Sequence, residues 1–307
     1  MRLLFAGTPD VALPSLDALH ASRHEVVGVL TRPPAPAGRG RSPRPSPVHV
    51  RATDLGIPVI TASTLRDVDT LARVAALAPD CCPVVAFGAL LPPEALAIPA
   101  HGWINLHFSL LPRWRGAAPV QHAIHAGDAE TGATTFRIDE GLDTGPILLQ
   151  ERTRIGPHET SGVLLGRMAT SGAELLLRTL DAIEDGTVAA TPQPAEGVML
   201  APRIDVDDAR LDWRAPADAV DRLIRACTPA PGAWTTFRGD RVRLGPVEMT
   251  PIDDLGPGEL RASKRDVLVG TGGLAVRLGD VVAEGKRPMP AADWARGLRL
   301  EHGEAFA

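Results

Sequence analysis

The chain has 307 residues, enough for one large domain or two ordinary ones. Its 44% hydrophobic and 22% charged content is ordinary globular composition, and no run approaches the ~20 apolar residues of a membrane span. A net charge of −5 argues mildly against nucleic-acid binding, but the distribution of charge matters more than its total and leaves open a local basic patch.

The first half alternates short apolar runs with helical patterns. RLLFAG, EVVGVLT, PVIT and CCPVVAF read as buried strands, because they are Val- and Leu-rich and bounded by turns. VALPSLDALHAS, SPVHVRATDLG and LRDVDTLARVAAL lie between them, with apolar residues near i, i+3 and i+4. This alternation predicts a parallel sheet with helices on both faces and ligands at the carboxyl ends of the strands. WINLH is a further strand, RGAAPVQHAIHAG begins a helix, and ATTFRID and PILLQERTRI are two more strands. A long amphipathic helix from Glu159 to Gly186 closes this part. The N-terminus, MRLLFAGTPD, reads as the first strand rather than a secretory signal.

Residues 187–203 are small, Pro-bearing and aperiodic, and read as a linker between a first domain (1–186) and a tail (204–307). The tail has one helix, PADAVDRLIRACT, and then short strands separated by turns, the pattern of a small β-barrel. Aromatics are scarce and tyrosine is absent, so the core is expected to rest on Leu, Val, Ile and Ala. Cys81, Cys82 and Cys227 make neither a disulfide framework nor a metal motif, which points to a reducing cytoplasm. No His, Cys, Asp or Glu cluster has metal-ligand spacing, so no metal is expected.

The chemistry concentrates in INLHFSLLPRWRGAAP (104–119) and the downstream LDTG, Leu142 to Gly145. These supply an amide (Asn105), an imidazole (His107) and a carboxylate (Asp143). Asn105 and His107 are two apart, so an extended strand projects them to one face. Acyl transfer to an amine needs such a set. The amide donates to a developing oxyanion. The imidazole handles protons near neutral pH or stabilises the same charge, and the carboxylate orients it or receives the amine's proton. Ser109, Leu110, Leu111 and Pro112 form a candidate wall for a flat ligand, offering apolar surface with free main-chain groups. FAGTPD follows the first strand but lacks G-x-G-x-x-G, and no acid closes the second strand, which argues against a dinucleotide dehydrogenase. Arg32, Arg39, Arg41, Arg44 and Arg51 lie in an acid-free stretch rich in Pro and Gly, read as a mobile surface loop able to meet phosphates.

Asn-x-His-x-Ser-Leu-Leu-Pro resembles the active-site signature of the folate-dependent formyltransferases. FAGTPD, PAGRG (Pro36 to Gly40), SPV, VVAFG (Val84 to Gly88), AGDAETG, LDTG and PAPGAW extend the likeness along most of the chain. It is greatest to the branch of the family that formylates initiator methionyl-tRNA. The resemblance implies a Rossmann-like catalytic domain followed by a barrel resembling an oligonucleotide-binding fold. It implies Asn105, His107 and Asp143 as the catalytic trio, and 10-formyltetrahydrofolate as donor. The donor would be held by Ser109, Leu110, Leu111, Pro112 and the strand end at Phe87 and Gly88. It further implies tRNA contacts through the PAGRG loop, at Arg39 and Arg41, and a monomer. Phe108 departs from the pattern, where a small residue is usual, and is a candidate to crowd the entrance. Sugar or glycinamide-ribotide formyltransferases and formyl-folate hydrolases share the trio, and a non-catalytic tRNA-binding module is a rival of another class.

Overall fold

The computed structural model describes residues 1–37, 42–301 and 303–307. They form two compact units, one of residues 1–116, 131–153 and 165–200, the other of residues 117–130, 154–164 and 201–307.

In chain order the first part runs β1 (Arg2–Gly7), α1 (Leu13–His20), β2 (Glu25–Thr31), β3 (Ala35–Ala37) and β4 (Ser42–Arg44). Then come α2 (Pro47–Asp54), β5 (Val59–Thr61), α3 (Val68–Ala76), β6 (Cys82–Val85), α4 (Pro93–Leu96) and β7 (Trp103–His107). After α5 (Pro119–Ala126) follow β8 (Glu130–Arg137), β9 (Ile147–Arg154) and α6 (Ser161–Glu184). Seven strands form one sheet in the order β5-β2-β1-β6-β7-β8-β9. The first five run parallel and β8 lies antiparallel to β7. Chain order moves outward from β1 in one direction through β2 and β5, and in the other through β6 and β7. The switch point therefore lies between the carboxyl ends of β1 and β6, where α/β sheets open a ligand crevice.

The local reasons are plain. Leu3, Leu4, Phe5 and Ala6 are fully buried, because a central parallel strand is covered on both faces and favours a continuous apolar run. Ser46 caps α2 by accepting from the His49 N–H at 3.1 Å, with Pro47 following it. Asp67 caps α3 in the same way through the Thr70 N–H at 2.9 Å. No helix of the described residues is long and apolar enough to cross a membrane.

The described residues 32–37 and 42–51 are more ordered than a mobile loop. β3 and β4 pair as a two-stranded antiparallel ribbon, and α2 begins at Pro47. Arg32 donates to the Ser63 carbonyl at 2.6 Å and Arg51 pairs with Asp17 at 2.7 Å. Arg39 and Arg41 lie outside the described residues.

The stretch read as a linker divides. Residues 187–200 group with the first unit, where Thr191 and Ile147 exchange backbone hydrogen bonds at 2.8 Å and the Arg115 N–H donates to the Met199 carbonyl. The units are also discontinuous in sequence, since α5 and the first turn of α6 group with the second.

In the second unit, α5 packs against α7 (Ala217–Ala226). Eight strands follow: β10 (Trp234–Phe237), β11 (Asp240–Leu244), β12 (Val247–Met249), β13 (Leu260–Ala262), β14 (Val267–Val269), β15 (Val276–Leu278), β16 (Asp280–Ala283) and β17 (Met289–Pro290). They form two four-stranded antiparallel sheets, β10-β11-β16-β17 and β12-β15-β14-β13, with α8 (Ala291–Leu298) after them. Their common core is not purely aliphatic as the composition suggests. Trp213, Trp234, Phe237, Trp294 and Phe306 concentrate there, with Phe306 stacked on Trp213 and Trp294 at 5.5 and 5.7 Å. A small core gains most from large side chains, and two of the indole N–H groups find oxygen partners at Thr235 and Val206.

Candidate active site

β7 lies beside β6, and its carboxyl end carries Asn105 and His107. Alternation along the strand separates two roles. Leu106 and Phe108 face α6, where a Cβ on Gly172 would meet them at 3.0 and 3.4 Å. Phe108 therefore belongs to the core and does not crowd an entrance. Asn105 and His107 take the other face.

His107 is buried, and its Nε2 lies 2.8 Å from the Trp114 carbonyl oxygen. A carbonyl can only accept, so Nε2 carries the proton and the neutral ring presents Nδ1 as the free nitrogen. Burial pushes the imidazole below its ordinary value, against the raising influence of the Asp143 carboxylate and of the Trp114 carbonyl. The ring is neutral near pH 7.

Asp143 Oδ2 stands 3.8 Å from Nδ1, too far for a hydrogen bond. It accepts from the Gly116 N–H at 2.8 Å instead. The expectation that Asp143 orients His107 is therefore corrected. The Trp114 carbonyl sets the ring, the Gly116 amide sets the carboxylate, and both lie in the RWRG stretch, residues 113–116. Oδ2 and Nδ1 are close enough for a single third atom to lie within hydrogen-bond distance of both. The Asn105 side chain is half-buried and makes no hydrogen bond within the described residues, so its amide is available as a donor.

Asp143 has φ +52°, a left-handed conformation that Asp tolerates better than most residues. Its loop is tightly built. Asp139 Oδ1 accepts from the Thr144 hydroxyl at 2.6 Å and from the Gly141 N–H at 3.1 Å. Gly145 admits no side chain, because a Cβ there would lie 1.8 Å from the Arg137 carbonyl oxygen.

The Ser109–Pro112 segment differs from expectation. The Ser109 hydroxyl donates to the Arg113 carbonyl at 2.6 Å, and the Ser109 carbonyl accepts from the Thr134 hydroxyl at 2.6 Å. The Leu111 N–H donates to Thr134 Oγ1, and the Leu111 carbonyl accepts from Gln150 at 3.0 Å. Ser109 and Leu111 are buried, so their main chains serve the protein rather than a ligand. Leu110 packs over Gly132, and Leu110 and Pro112 keep partial exposure. At the switch point the Thr8 hydroxyl donates to the Phe87 carbonyl at 2.9 Å. The Phe87 ring is in the core, whereas Gly88 is exposed with φ +80° and open space where a side chain would be. Leu110, Pro112 and Gly88 are thus the wall candidates with free surface.

All three cysteines are buried free thiols, and burial raises Cys81 to about 12 and Cys227 to about 11. His24, Asp181 and Glu184 come within 4.8 Å of one another, a grouping their spacing in sequence conceals. Arg23 pairs with both carboxylates, at 2.7 and 3.1 Å, and the N-terminal amine pairs with Glu184, which makes this an ion-pair cluster.

An uncommitted amide on the face that carries a neutral imidazole, with a fixed carboxylate beside that ring, suits acyl transfer to an amine at the edge of an α/β crevice. The chain belongs to the formyl transferase family: the formyl transferase pattern matches residues 1–180 and that of the family's C-terminal domain residues 203–299. Among its relatives is the methionyl-tRNA formyltransferase of Streptomyces coelicolor, 61% identical over 308 residues, covering 99% of each chain. The solved structure of WlaRD, a sugar 3N-formyl transferase, superposes with a TM-score of 0.68 at 17% identity, covering 94% of this chain and 99% of that one. A variant of HypX from Aquifex aeolicus gives 0.69 at 20% identity over 98% of this chain, which spans about half of it, 48%. At such identities these structures speak for the fold.

Proposed function

We propose that the chain transfers the formyl group of 10-formyltetrahydrofolate to the α-amino group of methionine on initiator methionyl-tRNA. The observation that carries the acceptor is full-length identity of 61% to a methionyl-tRNA formyltransferase. The site supports the chemistry. The amine nitrogen attacks the formyl carbon, the carbonyl oxygen takes up negative charge, and the folate nitrogen leaves as the amine loses a proton. Asn105 donates to the oxyanion. His107 Nδ1, with its lone pair free, accepts the amine's proton and returns it to the departing folate nitrogen, and Asp143 supports the imidazolium formed in between. Trp114 keeps the accepting nitrogen the right one.

The folate is a co-substrate that brings an activated formyl group, so no covalent enzyme intermediate is required. Gly88, Leu110 and Pro112 supply the open and apolar surface against which a pterin ring fits. Residues 204–307, together with Arg39 and Arg41, take the tRNA, and the cytoplasm, with its charged tRNA and reducing conditions, is the compartment that fits. The deciding experiment is turnover with 10-formyltetrahydrofolate and three acceptors: methionyl-tRNA, a nucleotide-linked amino sugar and water. Formylation of methionyl-tRNA at least tenfold more efficient than either alternative is expected. Preference for the sugar, or hydrolysis alone, overturns the assignment.

A further inference from the structure

We propose that Gln193 is the positioning residue of the Asp143 carboxylate, tying the carboxylate's loop to the Arg115–Gly116 segment. The inference rests on the formyl-transfer reading above. Gln193 lies in the aperiodic stretch that sequence reading assigned to a linker. It is the one half-buried residue among the exposed residues 189–198.

Its carboxamide uses all of its hydrogen-bonding capacity. Nε2 donates to the carbonyl oxygens of Asp143 and Gly145, each at 2.8 Å. Oε1 accepts from Arg115 Nε at 3.0 Å and Nη2 at 2.6 Å. Arg115 is itself fixed, because its N–H donates to the Met199 carbonyl at 2.8 Å. The next residue, Gly116, donates to Asp143 Oδ2. A closed ring results: carboxylate to Gly116, along the chain to Arg115, through the guanidinium to Gln193, and back to the Asp143 main chain. Both ends of the catalytic aspartate, side chain and carbonyl, are thereby held by one connected network.

The chemistry of the ring specifies glutamine. Two acceptors face one end of the side chain and two donors the other, which also fixes the orientation of the amide. Glutamate would satisfy Arg115 but confront two carbonyl oxygens with a third acceptor. Alanine would leave the Asp143 and Gly145 carbonyls and the Arg115 fork without these partners. The loop needs outside support, since Asp143 sits at φ +52° and Gly141 and Leu142 before it are exposed. Gln193 touches no reacting atom, so it acts through Asp143 alone.

The test is a double-mutant cycle in the full-length chain. Gln193→Ala and Gln193→Glu are each placed in the wild-type and Asp143→Asn backgrounds, with kcat, KM and folate affinity measured for 10-formyltetrahydrofolate and methionyl-tRNA. In the wild-type background kcat is expected to fall about 10- to 100-fold, as a displaced catalytic group does, with folate affinity within about twofold. In the Asp143→Asn background the same substitutions should cost less than about twofold, because the group they position is already disabled. Equal losses in both backgrounds, or an unchanged kcat, overturn the proposal. A readout free of substrate separates it from the functional assignment. The His107 ring, titrated by NMR in Gln193→Ala, is expected to shift to lower pH, in the direction expected for removal of the carboxylate. A His107 midpoint unmoved in Gln193→Ala overturns the positioning role whatever the acceptor. A wild-type chain inactive on methionyl-tRNA overturns only the function.

Discussion

Asp143→Asn isolates the charge of the carboxylate from its shape. Asparagine is near-isosteric, and its oxygen can still accept the Gly116 N–H that holds Asp143 at 2.8 Å. Only the charge 3.8 Å from His107 Nδ1 is lost. At an effective dielectric of about 20, two unit charges at that separation attract by about 4 kcal/mol. The side chains are 6% and 17% exposed, so water retains a share of the screening. Taking roughly half, about 2–3 kcal/mol, as support lost by the developing imidazolium gives a fall in kcat of roughly 30- to 150-fold. Folate affinity should be unchanged. The same substitution should lower the His107 titration midpoint, because the carboxylate opposes the depression that burial imposes. The effect reaches stability as well. The folded-state value already lies below the ordinary 6.5, so the unfolded chain binds the proton first as pH falls. Stability from the neutral ring is full above about pH 6.5 and is lost as pH falls from there toward the folded value, more so in Asp143→Asn. A His107 midpoint that stays put or rises, measured by NMR on folded protein, would refute this reading of the carboxylate.

Asn105→Ala should remove an oxyanion donor and lower kcat by about 10²–10³, with the thermal midpoint and folate affinity unchanged; wild-type turnover would remove Asn105 from the mechanism. Gly145→Ala should cost about 1–3 kcal/mol in denaturant unfolding, because its Cβ would meet the Arg137 carbonyl at 1.8 Å, and should lower turnover by displacing the Asp143 loop. Unaltered stability and turnover would show that the loop yields freely. Arg39→Ala should weaken methionyl-tRNA use without affecting folate and should flatten the rise of KM with salt; an identical salt slope would exclude a phosphate contact by this residue.

Strands and helices of the first part were legible because each obeys a local rule. A covered parallel strand reads as an unbroken apolar run, as RLLFAG does, and a helix declares itself by its cap, as Ser46 does before Pro47. What stayed hidden is settled by partners remote in sequence. No periodicity marks Gln193, whose partners are 48 to 78 positions away. The grouping of α5 and the first turn of α6 with the second unit has no local signature either. Composition misled on the tail core, since a chain poor in aromatics overall can still gather five of them at one place.

The site shows why type and spacing revealed the reacting groups but not their geometry. Period-two alternation along β7 and the residue after it sends Asn105 and His107 one way and Leu106 and Phe108 the other, and that much is written in four consecutive letters. The orientation of the groups is set by main-chain atoms, which any sequence supplies. The carbonyl of Trp114 selects the His107 tautomer and the N–H of Gly116 fixes Asp143, and neither contact requires a particular side chain. Residue identity at 114–116 matters instead through what places that backbone. Trp114 has φ +64°, and Arg115 is held at its main chain by Met199 and at its guanidinium by Gln193. The catalytic geometry thus depends on residues 193–199, more than seventy positions beyond the strand that carries the chemistry, and a reading confined to the motif assigns them to a linker.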